Sequence, residues 1–296
     1  ISNGGGYSGV TTKDLVVTLA SGFNQNKYRV LVTKSGCTAT STEAKLTVNA
    51  TPSPPTAGSN SAICSGATLN LTASNVAGAT YAWAGPGSYT ATSRNPTRTS
   101  ATAAMSGTYS VTATVLGCTS TAATTAVTVN TTPSAPTAGS NSAICEGATL
   151  NLTASDITGA TYAWTGPGSF TSSNRNPSRT SATAAMSGTY SVTATVSGCT
   201  SIASTTAVTV NALPTAPTAG SNSEICIDTI LDLTASDITD ATYAWTGPGG
   251  FSSASRNPSR PSATTAMSGT YSVTATVLGC TSSPSTTAVL VNALPT

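Results

Sequence analysis

The chain has 296 residues, 38% hydrophobic and only 7% charged, with 11 Lys and Arg against 9 Asp and Glu, no His and a net charge of +2. That balance offers no basic face for nucleic acid and no polybasic run for an anionic membrane, and its richness in Thr and Val argues for β structure over disorder. No apolar run reaches the roughly 20 residues that span a bilayer, and Ile1 to Gly9 lacks the basic-then-apolar layout of an export signal, so any such signal is expected outside this stretch.

A fixed period organises the rest. Cys64, Cys145 and Cys226 recur every 81 residues, as do Trp83, Trp164 and Trp245, and Tyr109, Tyr190 and Tyr271. Taken in chain order, residues 1–50 read as the C-terminal half of a divergent repeat, because Tyr28, Cys37 and Asn49 stand one period before Tyr109, Cys118 and Asn130. Full repeats follow at 51–131, 132–212 and 213–293, and residues 294–296 restart the pattern of Leu213-Pro214-Thr215. A longer natural chain is the expectation. The alternative is a half-domain completed by strands from a neighbouring subunit, as in strand-complemented pili.

Within the first full repeat, Thr68 to Ala73 sets Leu69, Leu71 and Ala73 on one face, and Thr80 to Trp83 puts Tyr81 and Trp83 together before the Gly85-Pro86-Gly87 turn. The stretch 88–104 alternates weakly and is assigned to edge strands. Thr108 to Val115 alternates Tyr109, Val111, Ala113 and Val115 against Thr and Ser, and Thr125 to Val129 closes the unit. Short alternating strands at this spacing predict a β-sandwich, and no apolar stripe at helical spacing appears.

Each full repeat holds two cysteines 54 residues apart, so the register predicts Cys64 with Cys118, Cys145 with Cys199, and Cys226 with Cys280, leaving Cys37 unpaired in this stretch. Closing such a loop contributes ~4 kcal/mol in the chain-entropy model, which matters for a core this small. Without His or a Cys-x-x-Cys pair, no zinc site is called for.

Trp83, followed by Ser106-Gly107-Thr108-Tyr109, resembles an immunoglobulin-like domain, whose tyrosine corner is formed by the tyrosine ahead of the second cysteine. Val111 stands where an antibody domain has that cysteine, and here the cysteines lie at the edges. The phrases PTAGSNSAIC, TYAWTGPGSF, RNPS and SGTYSVTATVSGC resemble the repeated immunoglobulin-like or polycystic-kidney-disease-like domains of large Bacteroidota surface and secreted proteins, including gliding-associated adhesins exported by the type IX system. The resemblance covers the three full repeats. It implies an all-β fold of tandem immunoglobulin-like antiparallel β-sandwiches arranged end to end, an extracellular or outer-surface location, and no catalytic residue.

A catalytic reading fails at inventory, with no His and no carboxylate pair repeated in register. Trp83, Trp164 and Trp245 share strand parity with Tyr81, Tyr162 and Tyr243 and are assigned with Tyr109, Tyr190 and Tyr271 to the cores. Tyr89, Phe170 and Phe251, after the Gly-Pro-Gly or equivalent turn, are the candidate surface contacts, although packing against the turn is the simpler reading. Arg94, Arg175 and Arg256, with Arg98, Arg179 and Arg260, are read as solubilising edge charges, the functional alternative being contact with acidic polysaccharide or a neighbouring domain. Asp156, Asp237 and Asp240 lack the converging oxygens that Ca²⁺ requires, so neither metal nor cofactor is expected. Asp228-Thr229-Ile230 matches the short signal that Bacteroidota use for O-glycosylation, which makes Thr229 a glycan candidate.

The expected function is a non-catalytic stalk, filament or adhesin spacer, with neighbouring repeats as its first partners and surface polysaccharide or other copies as further ones. Proline in the links 130–140 and 211–221 makes them semi-rigid, and each repeat should extend a rod by roughly 35–40 Å. The alternatives are a carbohydrate- or host-surface-binding module acting through the turn after Gly85-Pro86-Gly87, and a homopolymeric pilus-like fibre.

Overall fold

The computed structural model describes residues 25–295, together with the backbone of two short strands, β1 (Tyr7–Ser8) and β2 (Val16–Val17). The chain divides into two compact units, Ile1–Thr132 and Pro133–Thr296.

In the first unit, β3 (Lys27–Tyr28) pairs with β6 (Ala44–Lys45), and β4 (Leu31–Lys34) pairs with β5 (Cys37–Thr40). A complete sandwich follows. It comprises β7 (Ala57–Ser59), β8 (Ile63–Cys64), β9 (Leu69–Ala73), β10 (Thr80–Gly85), β11 (Tyr89–Ala91) and β12 (Thr97–Arg98). The remaining strands are β13 (Gly107–Val115), β14 (Cys118–Thr119), β15 (Ala123–Val127) and β16 (Val129–Asn130).

One sheet runs β11-β10-β13, with β14 and β15 both on the far side of β13, and the other runs β7-β9-β12. The layers face each other because alternation drives one face of each strand inward: Leu69, Leu71 and Ala73 from β9 meet Tyr81 and Trp83 from β10 and Tyr109, Val111 and Ala113 from β13. Trp83 is 2% exposed and Tyr109 is fully covered.

Strand β10 runs two residues past Trp83 to Gly85, which pairs with Tyr89. Gly85 is required there, since a Cβ would lie 2.4 Å from Cδ1 of the Tyr109 ring. The weakly alternating stretch 88–104 resolves into β11, β12 and a single 3₁₀ turn at Ala103–Met105.

Two further short strands precede β9. Ala57–Ser59 joins the β9 edge, where Gly58 allows close approach because a Cβ would meet Thr72 Oγ1 at 2.9 Å. Ile63–Cys64 pairs in parallel with Val129–Asn130, closing the sandwich at the pole from which the chain leaves.

The second unit holds two further sandwiches of the same order. The first has β17 (Ala138–Ser140), β18 (Ile144–Cys145), β19 (Leu150–Ala154), β20 (Thr161–Gly166) and β21 (Phe170–Ser172). It continues with β22 (Ser178–Arg179), β23 (Gly188–Val196), β24 (Cys199–Thr200), β25 (Ser204–Val208) and β26 (Val210–Asn211). The last has β27 (Ala219–Ser221), β28 (Ile225–Cys226), β29 (Leu231–Ala235), β30 (Thr242–Gly247) and β31 (Phe251–Ser253). It ends with β32 (Ser259–Arg260), β33 (Gly269–Val277), β34 (Cys280–Thr281), β35 (Ser285–Val289) and β36 (Val291–Asn292). Their cores repeat the first, around Trp164 and Tyr190 and around Trp245 and Tyr271. The protein is all-β, with three tandem immunoglobulin-like β-sandwich repeats.

Candidate functional site at the sandwich poles

The largest side chains sit around the tyrosine of the long central strand. Tyr109 Oη donates to the Met105 carbonyl four residues upstream, the geometry of a tyrosine corner, and Tyr190 and Tyr271 do the same toward Met186 and Met267. Each hydroxyl also accepts from a guanidinium, of Arg98, Arg179 and Arg260 in turn.

That guanidinium donates a second bond to the Pro86, Pro167 or Pro248 carbonyl and lies 4.4–4.8 Å over the ring of Tyr89, Phe170 or Phe251. The same rings meet the buried tyrosine edge-on at 5.5–5.7 Å. The candidate contact rings are thus half-buried and held internally, with one face under arginine and the edge against tyrosine. Burial pushes the Tyr89 phenol above its ordinary value, more strongly than the Arg98 charge pulls it down, with Tyr109 adding to the rise.

Arg98, Arg179 and Arg260 are therefore structural clamps and not loose edge charges. Arg94, Arg175 and Arg256 are also engaged. Arg94 donates to Asn75 Oδ1, while Arg175 and Arg256 form exposed ion pairs with Asp156 and Asp237, so two of the three carboxylates considered for a cation are taken up by arginine. The carbonyls of the same three arginines accept from the indoles of Trp83, Trp164 and Trp245.

The next residue of the Arg-Asn-Pro motif, Asn95, accepts from the Ala73 amide at 3.0 Å, and the Pro96 carbonyl accepts from Leu71. Sequence reasoning used this motif only for resemblance. Its repetition in register beside a strand with unmatched amides was the signal that it serves as an edge substitute for β9.

The cysteines depart most from expectation. Cys145 is bonded to Cys280, with Cα atoms 5.5 Å apart and 135 residues between them in sequence. Cys64 and Cys199 are disulfide-bonded too, whereas Cys37, Cys118 and Cys226 carry free thiols. The expected pairs Cys64 with Cys118, Cys145 with Cys199, and Cys226 with Cys280 do not occur.

The reason is strand direction. Cys64 lies opposite Asn130 beyond the start of β13, because Gly107 pairs with Val127, while Cys118 follows the end of β13 opposite Val115. Nine residues at about 3.3 Å each separate the two poles by roughly 30 Å, and a disulfide needs Cα atoms within about 7 Å. The two cysteines of one repeat therefore cannot bond to each other.

The Cys145–Cys280 bond joins the exit pole of one sandwich to the turn between β33 and β34 of the next. Asn211, opposite Cys145, donates from Nδ2 to the Leu278 carbonyl at 3.4 Å, and the Cys280 sulfur lies 4.0 Å from the Asn211 carbonyl oxygen. In the first unit the same contact forms without a disulfide. Asn49 donates to the Leu116 carbonyl at 3.1 Å, and the Cys118 thiol donates to the Asn49 carbonyl at 3.5 Å. Thr229 is exposed in the turn after β28, its hydroxyl donating to the Cys226 carbonyl at 2.6 Å.

Among the described residues no group of His, Cys, Asp or Glu is arranged to hold a metal, and no helix is long and apolar enough to cross a membrane. Disulfide-bonded immunoglobulin-like domains are typical of extracellular proteins.

No family model and no curated protein sequence matches the chain. Among solved structures it is similar to the full ectodomain (Ig1–Ig3) of mouse nectin-like molecule 4, at 12% identity over 78% of this chain and 96% of that one, with a TM-score of 0.35. It is similar to the three N-terminal domains of the highly immunogenic outer capsid protein of bacteriophage RB49, at 13% identity over 83% and 99%, with a TM-score of 0.36. It is also similar to immunoglobulin domains 1–5 of Sidekick-1, at 14% identity over 95% and 69%, with a TM-score of 0.30.

Proposed function

We propose that the chain is a non-catalytic, load-bearing spacer of an extracellular surface protein, in which disulfides carry tension past the sandwiches. The observation that supports this most is the Cys145–Cys280 bond. Tension entering through the segment before β18 crosses from Cys145 to Cys280 and leaves through β34, β35 and β36. Strands β19 to β33, with both tryptophan cores of this unit, lie off that path. Covalent bonds hold where sandwiches of this size would shear open, so the spacer keeps its length under load. The finer assignment, to a Bacteroidota adhesin or gliding-associated protein of the type IX pathway with Thr229 glycosylated, rests on the repeat phrases and the Asp228-Thr229-Ile230 signal.

Single-molecule pulling from the two ends tests the reading. Full reduction should release at least roughly 450–490 Å of additional contour length, from 135 residues at about 3.3–3.6 Å each. Equal extension before and after reduction would remove the tension-bypass function.

A further inference from the structure

Chain length alone disfavours the bond between Cys145 and Cys280. In sequence, 27 residues separate Cys118 from Cys145 and Cys199 from Cys226, against 135 between Cys145 and Cys280. Loop closure in an unfolded chain falls with roughly the three-halves power of length, so a loop about fivefold longer closes about elevenfold less often. Oxidation of the unfolded chain therefore joins neighbouring cysteines ahead of the native pair.

The fold reverses that order. Cys199 follows β23 opposite Val196, and Cys226 stands opposite Asn292, which places both at the poles of their sandwiches that face away from the Cys145–Cys280 junction. The length of a nine-residue strand, roughly 30 Å, separates each of them from that junction, so Cys199 and Cys226 cannot meet once both sandwiches have formed.

Docking does not need the bond. Asn211 Nδ2 donates to the Leu278 carbonyl at 3.4 Å and seats the turn after β33, and the equivalent Asn49–Leu116 contact, at 3.1 Å, forms beside a free Cys118 thiol. The two bonded sulfurs also differ in access. Cys280 is 1% exposed, whereas Cys145 is only half-buried.

We propose that this bond is made last, by an external disulfide that exchanges first at Cys145 of sandwiches already folded and docked, with Cys280 as the resolving thiol. The inference rests on the reading of the pole disulfide as a structural link. The Cys145 thiolate attacks the external disulfide, forms a mixed disulfide and expels one thiolate. The Cys280 thiolate then attacks the Cys145 sulfur and expels the second. Two cysteine thiols and one external disulfide become the Cys145–Cys280 bond and two external thiols. A bond made before folding, such as Cys199–Cys226, is incompatible with the docked pair, and thiol–disulfide isomerisation has to undo it first. Only a junction between two folded sandwiches is locked.

The test oxidises the fully reduced chain with glutathione disulfide, once in native buffer and once in strong denaturant, and maps both products by mass spectrometry after acid quenching. Cys145–Cys280 is expected to dominate the native map, and Cys199–Cys226 to exceed it about elevenfold in the denatured one. Trp245→Ala with Tyr271→Ala empties the third core and should slow formation of the bond in native buffer by at least about tenfold, because the docked pair loses its effective concentration. Trp83→Ala with Tyr109→Ala, in the first core, should leave that rate unchanged. In Cys280→Ser, glutathione is trapped on Cys145; in Cys145→Ser, Cys280 takes none until denaturant is added. Equal yields of Cys145–Cys280 in the two solvents, an unchanged rate with the third core emptied, or first capture of glutathione on Cys280 overturns this proposal and leaves the spacer function standing. A native map without Cys145–Cys280 overturns the spacer function along with it.

Discussion

At the scale of single residues, each sandwich turns on a buried tyrosine whose hydroxyl both donates and accepts. Tyr190→Phe leaves the Met186 carbonyl and the Arg179 guanidinium each short of a partner, which costs about 1–3 kcal/mol. Amides of β23 are therefore expected to exchange with deuterium roughly ten- to hundredfold faster in the variant, while those of the first sandwich keep their rates.

Tyr89 adds a pH dependence confined to its own repeat, since Phe170 and Phe251 stand in its place elsewhere. Its folded pKa is raised above 10.0, so the stability from the neutral phenol is present below that value and is lost as pH rises through the folded pKa. Tyr89→Phe should shift the alkaline unfolding of the first sandwich to higher pH, followed by circular dichroism, and leave the other two unmoved.

At the scale of elements, the core strands were legible because a period of two with bulky residues on one face has one consistent solution. Leu69, Leu71 and Ala73 could only face Trp83 and Tyr109. Strands β7 and β8 were not legible, because Ala57, Gly58 and Ser59 are small on both faces and Ile63–Cys64 is too short to alternate. What makes them strands is their partners, Thr72 on one side and Val129 on the other.

The arginine roles were hidden for a related reason. Sequence shows that Arg98 and Arg94 recur, but only the fold brings the first onto Tyr89 and Tyr109 and the second beside Asn75. The Arg-Asn-Pro motif acts at this scale as a substitute strand. Asn176→Ala strips the Ala154 amide of its acceptor, and it should destabilise the β19 edge by about 1–3 kcal/mol, read as faster amide exchange at Leu152 and Ala154.

At the scale of the whole molecule, the regular spacing of the cysteines pointed to bonds within repeats, and strand direction overrules it. The 54-residue interval counts residues but not the half-turns of chain between them, and those leave the two sulfurs of one repeat at opposite poles. A cysteine at each pole suits a chain of modules joined in series, because every bond then spans a junction. Proteolysis of the oxidised, unreduced chain followed by mass spectrometry of the linked peptides tests this most directly. The account requires a peptide pair joining Cys145 to Cys280; recovery of Cys145 joined to Cys199, or of Cys226 joined to Cys280, would contradict it.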